Sequence, residues 1–272
     1  MMRRLTLAVL FLLAFGARSA AAQTCDITVT PMSFGTYTGT VLDGTATGKV
    51  TCAGSWDIPL NAGTGAGATE TIRKMTGPGG AELSYEVFQD AARTVNWGNT
   101  VGTEPTGTGN TTVTFYGLII AGQYVVPGTY TDTLSTATTV FTVTAIVVKY
   151  CSVSATNLAF GTYTGTLINS TSTISVTCTN TTSYNVGLNA GLATGATVTN
   201  RSMTGPGSAL LHYSLFSNSG YTTNWGYTVG TDTVARTGNG ATQPLTVYGQ
   251  VPAGKFAAPG SYTDTITVNV TY

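Results

Sequence analysis

The chain has 272 residues, with eleven Lys and Arg against eleven Asp and Glu, and only 8% of its residues are charged. Soluble domains usually carry about 25% charged residues, so this surface must be wetted by the hydroxyls and amides of Thr, Ser, Asn and Gly. No basic patch occurs, which excludes nucleic acid and anionic membrane as partners.

Residues 1–22 read as a secretory signal peptide. Arg3 and Arg4 give a positive start, 5–15 an apolar core, and Ala20, Ala21 and Ala22 a small-residue cleavage pattern. The apolar run is too short to span a bilayer, so an exported protein that is not membrane-inserted is expected. The mature chain would begin near Gln23. Loss of Arg3, Arg4 and Arg18 then leaves a formal net charge of −3.

Four cysteines follow as two pairs, Cys25 with Cys52 and Cys151 with Cys178, each pair 27 positions apart. In an exported chain this implies one disulfide in each half. The alternative is a metal site, but no CxxC spacing occurs and His212 is the only histidine. Closing such a loop contributes about 3.5 kcal/mol in the chain-entropy model.

The same spacing marks an internal repeat. Phe34-Gly-Thr-Tyr-Thr-Gly39 recurs as Phe160-Gly-Thr-Tyr-Thr-Gly165, and Met75-Thr-Gly-Pro-Gly79 as Met203-Thr-Gly-Pro-Gly207. Asn96-Trp97-Gly98 matches Asn224-Trp225-Gly226, and Pro127-Gly-Thr-Tyr-Thr-Asp-Thr133 matches Pro259-Gly-Ser-Tyr-Thr-Asp-Thr265. Two tandem domains are therefore expected, 23–150 and 151–272. Within the first, short β-branched and aromatic runs at 26–30, 47–52, 56–61, 83–88, 111–117 and 129–134 read as strands, divided by Gly, Pro and Asn clusters. No run has apolar residues at helical spacing. The expected fold is all-β: two immunoglobulin-like β-sandwich domains.

The two copies end differently. After Thr265 the second has only Ile-Thr-Val-Asn-Val-Thr-Tyr, in which Ile266, Val268, Val270 and Tyr272 alternate. The first has a surplus, 134–150, in which Phe141, Val143, Ala145 and Val147 alternate. That surplus is expected to close domain one as its last strand and to leave domain two incomplete. Insertion of the surplus into domain two instead is the alternative. An unfinished sandwich exposes an apolar groove flanked by unpaired backbone, which invites strand addition from another chain.

Phe-Gly-x-Tyr, Val-Thr-Cys, Leu-Asn-Ala-Gly, the Arg-x-Met of Arg73–Met75 and Arg201–Met203, Tyr-Gly and Pro-Gly-x-Tyr-Thr-Asp-Thr together resemble the spore coat protein U domain, over both repeats. That family resembles the subunits of archaic, Csu-type chaperone–usher pili. The resemblance implies incomplete immunoglobulin-like folds whose missing strand comes from a periplasmic chaperone and then from a neighbouring subunit, with an outer-membrane usher as assembly partner. It implies a secreted, cell-surface subunit with two domains: an adhesive head, then a pilin base that accepts a strand along Ile266, Val268, Val270 and Tyr272. With only Gln23 and Thr24 ahead of Cys25, the subunit is expected to accept a strand without donating one, and so to sit at the fibre tip. A secreted coat or matrix protein of the same fold is the alternative.

Domain one differs most from domain two at 118–126, where Leu118, Ile119, Ile120, Tyr124, Val125 and Val126 add apolar bulk. Such a loop can mark a contact with a host or abiotic surface. The other possibility is that it packs towards domain two, which would leave 53–57, 90–110 and 135–139 as the distal loops. Trp56, Trp97 and Tyr85 have aromatic counterparts in domain two and read as packing residues. Asp132 and Asp264 read as turn-bonding side chains. His212, aligned with Ser84, has no acid partner, and neither Glu82 nor Glu86 is paired with a second catalytic carboxylate. No catalytic set, cofactor or metal is expected.

Overall fold

The computed structural model describes residues 25–272, so the signal-peptide reading lies outside the described residues. Domain one contains β1 (Asp26–Val29), β2 (Met32–Tyr37), β3 (Leu42–Thr51), β4 (Ser55–Asp57), β5 (Arg73–Thr76), β6 (Glu82–Phe88), β7 (Thr106–Thr108), β8 (Thr111–Ile119), β9 (Gly128–Ser135) and β10 (Val140–Val147). Domain two contains β11 (Cys151–Ala155), β12 (Ile168–Cys178), β13 (Ser183–Leu188), β14 (Arg201–Thr204), β15 (Leu210–Phe216), β16 (Val234–Thr237), β17 (Thr242–Val251) and β18 (Val268–Thr271). The only other elements among the described residues are two single-turn 3-10 segments, each started by the Pro of a Gly-Pro-Gly run. Both cysteine pairs are bonded, Cys25 to Cys52 and Cys151 to Cys178.

The strands of domain one form one curled ladder in the order β1-β3-β8-β6-β5-β9-β10-β2, with β4 and β7 as a separate pair. Strict alternation drives it. Along β3 every second residue from Gly44 to Val50 is buried, and along β10 Phe141, Val143, Ala145 and Val147 are buried while Val140, Thr142 and Ile146 are exposed. A period of two puts one face in the core and the other in solvent. Trp97 stacks on Phe115 at 3.9 Å, and Phe115 in turn meets Phe141 of β10 at 5.3 Å. The closing strand therefore joins the centre of the core.

Domain two repeats the scheme in pieces. One sheet runs β11-β12-β17-β15-β14 and a second β16-β13-β18. Three ladder members of domain one have no strand counterpart. Residues 157–163, matching β2, and 260–267, matching β9, carry no strand apart from a single bridge between Thr263 and Thr204. Nothing in domain two takes the place of β10.

The divergence begins at one point. After Ser135 the first repeat turns through residues 136–139, where Thr136 N–H donates to Thr139 C=O at 2.9 Å, and returns as β10. After Thr267 the second repeat runs straight on as β18 and pairs with β13, Leu188 opposite Val268 and Asn185 opposite Thr271. The same choice shapes domain one. Because its chain turns back, β4 has only β7 beside it, and a pocket of about 250 Å³ stays open between Trp56, Ile58, Cys25 and residues 136–138.

Candidate functional site

In domain one, β10 lies between two neighbours. It pairs antiparallel with β9, Phe141 opposite Leu134, Val143 opposite Asp132 and Ala145 opposite Tyr130. It pairs parallel with β2, Val143 beside Met32 and Val147 beside Tyr37. The surplus segment thus completes its own domain.

The equivalent seat in domain two is an open groove of about 510 Å³. Leu158 and Phe160 form one wall, Tyr262, Asp264 and Ile266 the other, and Ile174, Leu188, Leu215 and Val247 part of the floor. Burial shows what is missing. Met32, Phe34, Tyr37, Tyr130, Asp132 and Leu134 are all at least 96% buried. Their counterparts Leu158, Phe160, Tyr163, Tyr262, Asp264 and Ile266 are only half-buried. Val247 stands where Phe115 stands in domain one, so the Phe115–Phe141 contact has no analogue and the floor is lower. Along both walls the backbone groups that β10 would pair with make no ladder across the groove. An apolar trough with unpaired backbone on both sides fits one extended strand.

The walls are held by two repeated polar clusters that sequence reasoning underread. Arg73 is fully buried and its guanidinium donates to the carbonyls of Asn61 (2.9 Å), Glu70 (2.6 Å), Leu60 (3.2 Å) and Trp97 (2.6 Å). Arg201 does the same with Asn189, Val198, Leu188 and Trp225. Burial lowers both side chains to about 10, still protonated at neutral pH. Beside each, an aspartate ties a loop to a tyrosine. Asp132 accepts from the Tyr85 hydroxyl at 2.7 Å and from Thr64 N–H at 2.7 Å, and Asp264 from Tyr213 at 2.7 Å and Leu192 N–H at 2.8 Å. The Arg-x-Met and Tyr-Thr-Asp motifs carried this signal, since a repeated charge inside an apolar strand pattern marks a satisfied buried group.

The expected acceptor residues divide. Ile266 and Val268 line the groove. Val270 packs on the core from β18, and Tyr272 is half exposed beyond it. The segment flanking the groove is therefore the strandless stretch 260–266, ahead of the residues expected, because the chain beyond Val268 leaves the groove to pair with β13.

The 118–126 segment, expected as a target-binding loop, is mostly covered by the chain itself. Ile119 is fully buried, Val125 packs on the core of domain one, and only Ile120 of the six residues is exposed. Tyr124 faces domain two. Its carbonyl accepts from Asn180 N–H at 2.9 Å, its hydroxyl donates to Ser152 Oγ at 3.0 Å, and its ring stacks on Tyr150 at 5.9 Å. Ile119 and Val125 thus serve the core of domain one, and Tyr124 is the residue of the six that meets the junction between repeats. Of the acids, Glu82 is bound by Lys74, while the His212 ring lies 2.8 Å from the Ser202 hydroxyl.

Two consecutive matches to the Spore Coat Protein U domain family model cover residues 12–137 and 137–269. The chain belongs to that family. Among solved structures it is similar to the CsuC–CsuE chaperone–tip subunit pre-assembly complex from the archaic chaperone–usher Csu pili of Acinetobacter baumannii. That likeness has 17% identity and a TM-score of 0.54, over 91% of this chain and 100% of the other. A more distant likeness is to the CupB6 tip adhesin of Pseudomonas aeruginosa, at 12% identity and TM-score 0.32, over 92% and 94% of the two chains. No curated protein matches the chain. Both spore coat U repeats carry the Arg, Asp and Trp framework, and they differ in whether a strand fills the seat between 157–163 and 260–267, or its equivalent.

Proposed function

We propose that this chain is an adhesive subunit of an archaic chaperone–usher pilus, exported through the periplasm to the cell surface. Domain two is the pilin base, and its groove takes a strand first from a periplasmic chaperone and then from a neighbouring subunit delivered by an outer-membrane usher. One observation carries this reading: the groove is the seat that β10 fills in domain one, with the same walls and the same wall-holding clusters. Domain one, complete in itself, is the head. Its pole remote from domain two presents Trp56 and the turn at 136–138 around the 250 Å³ pocket, and this is the face offered to a host or abiotic surface. The subunit sits at the fibre tip and performs no catalysis.

Co-expression with a candidate chaperone tests the base assignment. The expected result is a one-to-one complex by native mass analysis, lost when Ile266→Asp is introduced on the groove wall. A chain that purifies as a stable monomer with no affinity for chaperone or strand peptide would instead be a secreted coat protein. Tip placement is read by gold labelling of intact pili, where label along the shaft would sink it.

A further inference from the structure

The junction between the two repeats has a second, unoccupied copy at the far end of domain two. In domain one, Tyr37 OH donates to Ile120 C=O at 2.7 Å and accepts from Gln123 N–H at 3.1 Å, while Gly122 N–H donates to Gly39 C=O at 2.9 Å. This cage presents Tyr124 to domain two. In domain two, Tyr163 OH donates to Pro252 C=O at 2.7 Å and accepts from Lys255 N–H at 3.0 Å, and Gly254 N–H donates to Gly165 C=O at 2.9 Å. The same cage presents Phe256, which is 97% exposed. A single exposed aromatic is ordinary by itself; this one differs from its counterpart Tyr124 in that Tyr124 is covered.

What covers Tyr124 identifies the missing partner. Gly39 has φ +81°, and a Cβ there would meet the Tyr150 ring at 3.0 Å, so the ring lies flat on the turn. At Gly165, with φ +89°, nothing lies within 4 Å. Tyr150 is the residue before Cys151, and its backbone is locked to domain two by Thr179 N–H donating to Tyr150 C=O at 2.9 Å. The strand that fills domain one is thus continuous with the first cysteine of the next domain. The second family match, which begins at 137, takes β10 with the second repeat. Domain one is completed by the segment ahead of its successor's first cysteine, within one chain.

We infer that the repeat junction is the template for the contact domain two makes with the following subunit, with Phe256 as its docking residue. This rests on the strand-acceptor reading above and adds register and partner chemistry to it. The partner is a chain of the same fold. Its core-facing residues stand four, six, eight and ten positions before its first cysteine, as Val147, Ala145, Val143 and Phe141 stand before Cys151. The six-position residue is small, because it passes over Tyr262 as Ala145 passes over Tyr130. An aromatic residue directly precedes the cysteine and lies on Phe256 and Gly165. Thr24 holds that place before Cys25, so a second copy of this chain is the poorer fit.

The test uses the purified full chain and two synthetic peptides copied from it, Val140–Val147 and 140–150, each with lysines appended at its N-terminus for solubility. Both should bind. The longer should bind about threefold to tenfold more tightly, the range of one aromatic pair. That advantage should vanish in Phe256→Ala, and equally when the peptide carries Tyr150→Ala. Phe256 is exposed, so its variant keeps the fold. Equal affinity for the two peptides, or an advantage that survives in Phe256→Ala, overturns the docking role and leaves the groove intact. If neither peptide binds, the strand-acceptor reading itself fails.

Discussion

Arg73 and Arg201 are the clearest residue-scale devices. Each places a full charge where apolar side chains surround it, and each is tolerated because four carbonyls face its nitrogens. Arg73→Met keeps most of the volume and removes every donor. It leaves the Leu60 and Trp97 carbonyls buried and unpaired, at an expected cost of at least about 3 kcal/mol, read as the urea midpoint of the full chain. A loss below about 1 kcal/mol would mean that water replaces the guanidinium. Alkali gives a second test. Burial raises Tyr85 and Tyr213 above their ordinary 10.0, with the neighbouring aspartates adding to it, and burial raises Tyr130 to about 12. Tyr37 and Tyr184 are also raised by burial. As pH passes 10 the unfolded phenols ionise and the folded ones do not, so the unfolded state holds fewer protons and stability falls. Arg73 and Arg201, at about 10 against an ordinary 12.5, act in the opposite sense over pH 10 to 12.5. Five tyrosines outnumber two arginines, so net stability should drop from pH 10 to 11, less steeply in Tyr85→Phe. A flat or rising profile would refute this.

At the scale of the element, β10 and β18 are two answers to one question: where the chain goes after the Tyr-Thr-Asp-Thr strand. The alternation of Phe141, Val143, Ala145 and Val147 was readable as a buried face, and domain one uses it so. Val143→Asp puts a carboxylate at a fully buried site beside Met32 and Asp132. It should abolish cooperative unfolding of domain one, since an unpaired buried charge costs several kcal/mol. Thr142→Asp, one residue away on the exposed face, should change stability by less than about 0.5 kcal/mol. Circular dichroism melts of the pair decide whether the face assignment holds. The course of β18 was not legible. Ile266, Val268, Val270 and Tyr272 show the same period as β10, and period states only that one face is covered. It does not state whether the cover is a donated strand or β13.

The whole molecule joins a finished sandwich to an unfinished one. Filling the groove would bury one Phe-sized and two Val-sized side chains at about 1.5–3 kcal/mol each, so domain two should be the less stable by on the order of 5 kcal/mol. Unfolding followed by tryptophan fluorescence should show two transitions. Trp225→Phe should remove the signal of the first, and Trp97→Phe part of the second. An apolar dye should bind the full chain and be displaced by the Val140–Val147 peptide. A single transition, or dye binding indifferent to peptide, would mean that the groove is closed in solution.

Repeat number, cysteine pairing, strand period and the surplus segment were set by sequence alone, because each is a local or self-referential pattern. The tertiary structure decided what non-local pairing decides. It placed β10 between β9 and β2, sent β18 to β13, and set Tyr124 of the 118–126 segment against the neighbouring domain. The same apolar residue can face a target, a core or a domain junction, and only the surface opposite it selects among them.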